Sequence, residues 1–232
     1  MSIQSEIIDR IGLISLDRPE KANAYDRAHL DDLAVAFEAL SATCTVVIIR
    51  SSDPRFFCAG ADLKELKQAT PEDARNLRSQ AVFTAIARSE TVSIAVVDGP
   101  AVAGGCELAL AADLRVIGAN AVFRLPEVGL GIIPAAGGCT RLTSLLGPAV
   151  AKSVILGGDE ITADQAVSWG LGISGGDDAL AAARAWAEQL SALEPAALKA
   201  AKRIINTAAE DRSLRDEREA QSALYALRED EG

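Results

Sequence analysis

The chain has 232 residues, which allows one large domain or a core with a smaller appendage. Hydrophobic residues make up 49% and charged residues 24%, proportions that exclude a low-complexity or disordered chain. The formal net charge of −10 leaves no broad basic field, so neither nucleic acid nor an anionic membrane is an expected partner, and an anionic ligand needs a local cluster of Lys and Arg.

In chain order, IQSEII and IGLISL around Asp9-Arg10 predict a β-hairpin. Asp26 is a good N-cap for a helix whose apolar residues Leu30, Leu33, Phe37 and Leu40 recur at helical spacing. Residues 45–50 (TVVIIR) and 92–97 (VSIAVV) are β-branched runs suited to buried strands. Between them Thr70-Pro71 should open a helix reaching about Arg88, with cap and N1 proline in preferred places. Asp98-Gly99-Pro100 is a turn, and Gly104-Gly105 precede a short helix around residues 107–112. LRVIGANAVF then reads as strand, and beyond Gly137 the signals are mostly helical, including a Thr162-x-x-Gln165 capping box. After the Gly175-Gly176 turn come Ala-rich helices. The expected organisation is an α/β core over 1–175 followed by a helical region over 176–232, with no repeat and no low-complexity linker.

The N-terminus carries acids early and lacks a long apolar segment, unlike a secretory or transit peptide, and no run is long enough to span a bilayer. Cys44, Cys58, Cys106 and Cys139 are widely spaced in apolar or small-residue settings, which suits buried thiols in a reducing, cytoplasmic compartment. With His29 the only histidine, a zinc site has too few ligands, and His29 itself is expected on the solvated surface. Gly172-Ile173-Ser174-Gly175-Gly176 fits the G-x-S-x-G pattern of hydrolases, but the residues before it look helical and no histidine follows, so it reads as a glycine turn. Walker A, G-x-G-x-x-G and EF-hand patterns are absent.

Two carboxylates remain. Glu107 sits in the apolar run VAGGCELALAAD and Glu127 in FRLPEVGLGIIPAAGG, 20 positions later. A buried carboxylate is costly unless paired or protonated; Glu107 either lies on the wet edge of a helix or is retained for chemistry. Two such groups converging on an apolar pocket would have raised pKa values and could divide acid and base duties. Two small-residue turns, FFCAGADLKEL and AVAGGCE, could each present a backbone N–H to a carbonyl oxygen that gains negative charge.

These segments, together with LDRPEKANAY, VDGPAVAGGCELALAADLRV, FRLPEVGLGIIPAAGGCTRL and ITADQAVSWGL, resemble the crotonase, or enoyl-CoA hydratase/isomerase, superfamily in the family's order from Leu16 to Leu171. The resemblance implies a spiral of ββα units with a helical C-terminal region, assembled as trimers or hexamers, and an acyl-coenzyme A thioester as ligand in fatty-acid metabolism. It places an oxyanion hole at the N–H groups of Ala61 and Gly104. It lines the coenzyme A site with Ala61, Asp62, Leu63 and Lys64, sets Ala24 near the adenine, and offers Arg18, Lys21, Lys64 and Lys67 to the phosphates. Glu107 and Glu127 match the two glutamates of the hydratases, the first activating water and the second protonating the α-carbon. No metal or redox cofactor is implied; coenzyme A is part of the substrate. The competing implications are an enoyl-CoA isomerase or another crotonase-type reaction, and a non-catalytic acyl-CoA-binding protein.

This chain departs from the family pattern in three places. Ala103 replaces the first glycine of a triple-glycine turn and should fit if its φ is negative. Ala135 stands beside the water site where hydratases commonly have glycine, and its methyl could crowd water or change the preferred acyl group. The stretch after WGLGI, where relatives continue with a short strand, is tight, and the tail after LYALRED is short, with consequences for an acyl-pocket lid or a trimer contact.

Overall fold

The computed structural model describes residues 3–209 and residue 222. Its strands are β1 (Ile3–Ile8), β2 (Ile11–Leu16), β3 (Val46–Ser51), β4 (Val92–Val97), β5 (Pro100–Val102), β6 (Leu114–Ile117), β7 (Val122–Arg124), β8 (Ile161–Thr162) and β9 (Ile173–Ser174). Its helices are α1 (Arg27–Ser41), α2 (Leu63–Gln68), α3 (Pro71–Arg75), α4 (Arg78–Arg88), α5 (Gly104–Ala111), α6 (Gly138–Gly157), α7 (Ala163–Ser168), α8 (Ala179–Ser191) and α9 (Pro195–Ala209).

A large sheet runs β1-β2-β3-β4-β6-β9, antiparallel only at the β1–β2 hairpin. Both faces are covered. Ile14, Leu16, Val47, Ile49, Ala95 and Val97 pack with α1, α4 and α5, while the alternate residues Leu13, Val46, Ile48, Ile94 and Val96 face α8. Ala179, Ala183 and Ala187, spaced one turn apart on α8, are small enough to lie close on the sheet. This two-sided burial is why the central strands are unbroken apolar runs. On the same side, Lys202 of α9 donates to the Thr91 carbonyl (2.8 Å) and to Asp113 (2.7 Å).

A second layer holds β5-β7-β8, extended by single parallel bridges, Cys58 with Ala101 and Tyr25 with Ala61. The chain therefore repeats one move: a strand in the large sheet, a short segment in the second layer, then a helix. Successive turns are β2, Tyr25, α1; β3, residues 58–61, α2; β4, β5, α5; and β6, β7, α6. This is the ββα spiral that the resemblance implies, a repeat of backbone path that leaves no repeat in the residues.

Several local expectations change. LRVIGANAVF is two strands in two sheets, split at Gly118, which has no room for a side chain against Asp98. The helix expected from Thr70 to about Arg88 breaks after Arg75: Leu77, with φ −58° and ψ 107°, restarts it as α4 and turns Ser79, Gln80, Val82, Phe83 and Ile86 inward. Gly104 and Gly105 form the first turn of α5 rather than preceding it. His29 is half-buried, its Nδ1 2.5 Å from the Asp26 carboxylate that caps α1. The residues after Trp169-Gly170-Leu171 do find a short strand, β9, which takes up the serine of the hydrolase-like motif. Among the described residues, no helix is long and apolar enough to cross a membrane.

Candidate active site

Glu107 lies in α5, a helix buried along its whole length. It is 4% exposed, so the wet-edge alternative is removed. Its Oε1 accepts from the N–H of Ala136 (2.7 Å) and of Gly138 (2.8 Å), in the turn that starts α6. Gly138 has to be glycine there, because a Cβ would sit 3.0 Å from that oxygen and 2.7 Å from Pro134. The carboxylate is thus locked in one orientation by backbone donors.

Glu127 opens a single turn, Glu127–Leu130, whose entry is set by Pro126 and whose exit is Gly131 at φ 74°. It is 5% exposed, and its Oε2 is buried without a hydrogen-bond partner among the described residues. Burial pushes its pKa up to about 7 from 4.5, with its own backbone N–H opposing the shift. Both carboxylates act electrostatically on Tyr25 and on Cys106, raising those groups, as expected for two acids meeting in one enclosed space.

The two small-residue turns also meet here. Tyr25 donates its N–H to Gly60 (2.8 Å) and accepts from Asp62 (2.7 Å), which leaves the N–H of Ala61 on the opposite side of its segment. A Cβ on Gly60 would lie 2.9 Å from the amide nitrogen of Gly104, so the turns are in close contact. Neither the Ala61 nor the Gly104 N–H donates to another group among the described residues. Gly104 is moreover the first residue of α5, where the helix dipole adds positive potential.

Ala103, just before it, has φ 51° and ψ −125°. The condition for an unstrained fit, a negative φ, is not met: the chain must reverse between β5 and α5, and alanine carries strain that glycine would not. Ala135 is 3% exposed, is not in the left-handed region, and accepts a bond from the Gln80 side chain (2.7 Å) through its carbonyl. Its methyl therefore costs nothing in backbone conformation.

The segment expected to meet coenzyme A flanks this site. Asp62 caps α2 by accepting from the Lys64 N–H (3.0 Å); Leu63 is 65% exposed, and Lys64, Lys67 and Lys21 point to solvent. Arg18 is already engaged: it donates to the Ala24 carbonyl (2.8 Å) and lies 3.6 Å from Asp62 and 3.9 Å from Asp26. It braces the loop carrying Ala24, which removes it from the free cations. A large cavity begins one turn further along α5, lined in part by Thr84, Leu110, Arg141 and Lys202, and includes neither glutamate. Among the described residues there is no cluster of three or more His, Cys, Asp or Glu that could hold a metal.

Tyr25, Ser79, Gln80 and Arg141 also bear on the site and were not singled out from the sequence. Arg141 donates to the Ala136 carbonyl (2.8 Å), and Gln80 and Ser79 are buried at the start of α4. Polar residues on the inward face of an amphipathic helix were the available signal for the last two.

The sequence matches the family described as enoyl-CoA hydratase/isomerase over residues 6–230. It is 41% identical over 200 residues to the probable enoyl-CoA hydratase 2, mitochondrial, of Arabidopsis thaliana, covering 83% of this chain and 66% of that protein. It is 36% identical over 204 residues to the 2,3-dehydroadipyl-CoA hydratase of Escherichia coli, covering 87% of this chain and 80% of that one. The fold superposes on the enoyl-CoA hydratase of Bacillus anthracis with a TM-score of 0.85 at 30% identity, covering 98% of this chain and 92% of the other. With the ββα spiral, the paired glutamates and these matches together, the chain belongs to the enoyl-CoA hydratase/isomerase family.

Proposed function

We propose that this protein is an enoyl-CoA hydratase, a hydro-lyase that reversibly adds water across the 2,3 double bond of an enoyl-CoA thioester. The observation that carries the reading is the pair of buried glutamates beside two unspent backbone amides. The N–H groups of Ala61 and Gly104 receive the thioester oxygen. Glu107, oriented by Ala136 and Gly138, takes a proton from water as the water oxygen bonds to C3. The π electrons move onto the thioester as an enolate, held by the two amides. Glu127, still substantially protonated near neutral pH because burial raises it to about 7, delivers its proton to C2. The reverse path returns each proton.

Coenzyme A enters as part of the substrate, along Ala24 and the segment Ala61, Asp62, Leu63 and Lys64, with Lys21, Lys64 and Lys67 available to its phosphates. The thioester is the electron sink, so the reaction calls for no further cofactor. Assembly as a trimer or hexamer and a cytoplasmic setting belong to the same reading; Cys44, Cys58 and Cys106, buried as free thiols, suit a reducing compartment. Place in fatty-acid metabolism follows from the substrate class.

Mixing the protein with crotonyl-CoA and following loss of the conjugated enoyl-thioester absorbance tests this directly. Turnover by wild type and its near-loss in both Glu107→Ala and Glu127→Ala support the mechanism; activity surviving in both would end it. One observation favours a second reading. Ala135 is buried next to Ala136, the residue whose N–H orients Glu107; a methyl that crowds water there suits double-bond isomerisation, and conversion of a 3-enoyl-CoA to the 2-enoyl isomer without hydration would select it.

A further inference from the structure

We propose that Tyr25 is the positioning residue that sets the spacing between the two amide donors of the oxyanion hole. The inference rests on the thioester reading above. The Cys58–Ala101 bridge joins the two turns, yet it ends short of both donors: Val102 donates to Cys58 (2.9 Å), and Ala103 already turns away to Arg124 (2.9 Å). Tyr25 spans the remaining gap. Its backbone grips Gly60 and Asp62 on either side of Ala61. Its side chain reaches the other donor, where the hydroxyl fills the space that a Cβ on Gly104 would need.

The side chain is itself held against α4. The ring meets Phe83 of α4 edge-on, with centroids 5.9 Å apart and planes at 89°, and Phe83 is fully buried. Ser79, one turn earlier on the same helix, lies close enough to the hydroxyl to oppose part of its pKa shift. Burial and the nearby glutamates raise the phenol well above its ordinary value, so it stays neutral throughout the working pH range. One residue thus touches both donors and is tied to a helix that carries neither. A displacement of either amide would weaken the bond to the enolate more than the bond to the ground-state thioester.

The test uses a chromophoric enoyl thioester, an aminocinnamoyl-CoA, whose absorbance moves to longer wavelength as its carbonyl is polarised. Tyr25→Phe keeps the ring and removes the hydroxyl. We expect Kd to change by no more than about threefold, the red shift to fall by roughly half or more, and kcat for crotonyl-CoA to drop about tenfold to a hundredfold with little change in KM. Phe83→Leu, which leaves Tyr25 in place and loosens the packing of its ring, should move the shift and kcat in the same direction by less. A purely structural role would lower the melting temperature and leave the shift per bound ligand unchanged, and that result overturns the proposal. Should Tyr25→Phe fail to fold, an unchanged shift in Phe83→Leu overturns it equally. A wild type that shifts the chromophore but does not hydrate crotonyl-CoA refutes the hydratase reading alone, and loss of the shift in Tyr25→Phe still supports Tyr25. A wild type that binds without any shift has no polarising hole, which overturns this proposal.

Discussion

The large sheet and the second layer are built from the same chain on opposite principles. In the large sheet the parallel ladders from β2 to β6 pair residue for residue, and β4 is buried at every position. In the second layer the strands are two or three residues long, the rest being single bridges, and in or just beyond them two amide donors and one carboxylate oxygen are left without partners among the described residues. A satisfied ladder has nothing left to offer a ligand, whereas an unfinished one keeps its donors free. Stability should therefore reside in the first region and chemistry in the second.

The sharpest test of this division is Glu127→Gln, which keeps the shape and removes the proton. Hydration should fall about a thousandfold, equivalent to roughly 4 kcal/mol of transition-state stabilisation, with stability at pH 7 unchanged or raised. A large drop in melting temperature with modest rate loss would reverse the assignment. On the other side, Ile94→Ala empties a fully buried position of β4 and should cost about 3 kcal/mol of stability, read by denaturant unfolding, with kcat unaffected while the protein is folded.

The pH dependence separates the two regions again. The folded-state pKa of Glu127 is raised, so the native state holds a proton that the unfolded chain releases near pH 4.5. The associated stability is fully present below about 4.5 and is lost as pH rises to about 7, amounting to about 3 kcal/mol. Subtracting the unfolding profile of Glu127→Gln from that of wild type between pH 4 and 8 should expose this slope; a flat difference would show that the carboxyl is not raised. Hydration by wild type should decline as pH passes 7, because the acid is then ionised.

Gly104→Ala pushes a methyl into the Tyr25 hydroxyl and should lower the rate about a hundredfold, close to the loss of one oxyanion donor. The smallest effect is expected at Ala103, where φ is 51°. Ala103→Gly should stabilise the fold by about 1 kcal/mol as strain is relieved, measured as a rise in melting temperature. A loss of stability there would mean that the methyl makes a contact worth more than the strain.

Much of this was legible in the residues. The β-branched runs, the apolar stripe Leu30, Leu33, Phe37 and Leu40, and the caps at Asp26, Thr70 and Thr162 depend on neighbours within a turn or a strand, and they appear where local propensity puts them. The glutamates were legible for a different reason: a carboxylate in an apolar run is conspicuous because burying it is costly. Tertiary contact alone decided the rest. The break after Arg75, the division of LRVIGANAVF between two sheets and the positive φ of Ala103 each serve the path of the spiral, which passes through residues far apart in sequence. The same holds for the proton on Glu127 and the reach of Tyr25 to Gly104. Burial and proximity belong to the assembled chain, and no window of the sequence contains all the groups that create them.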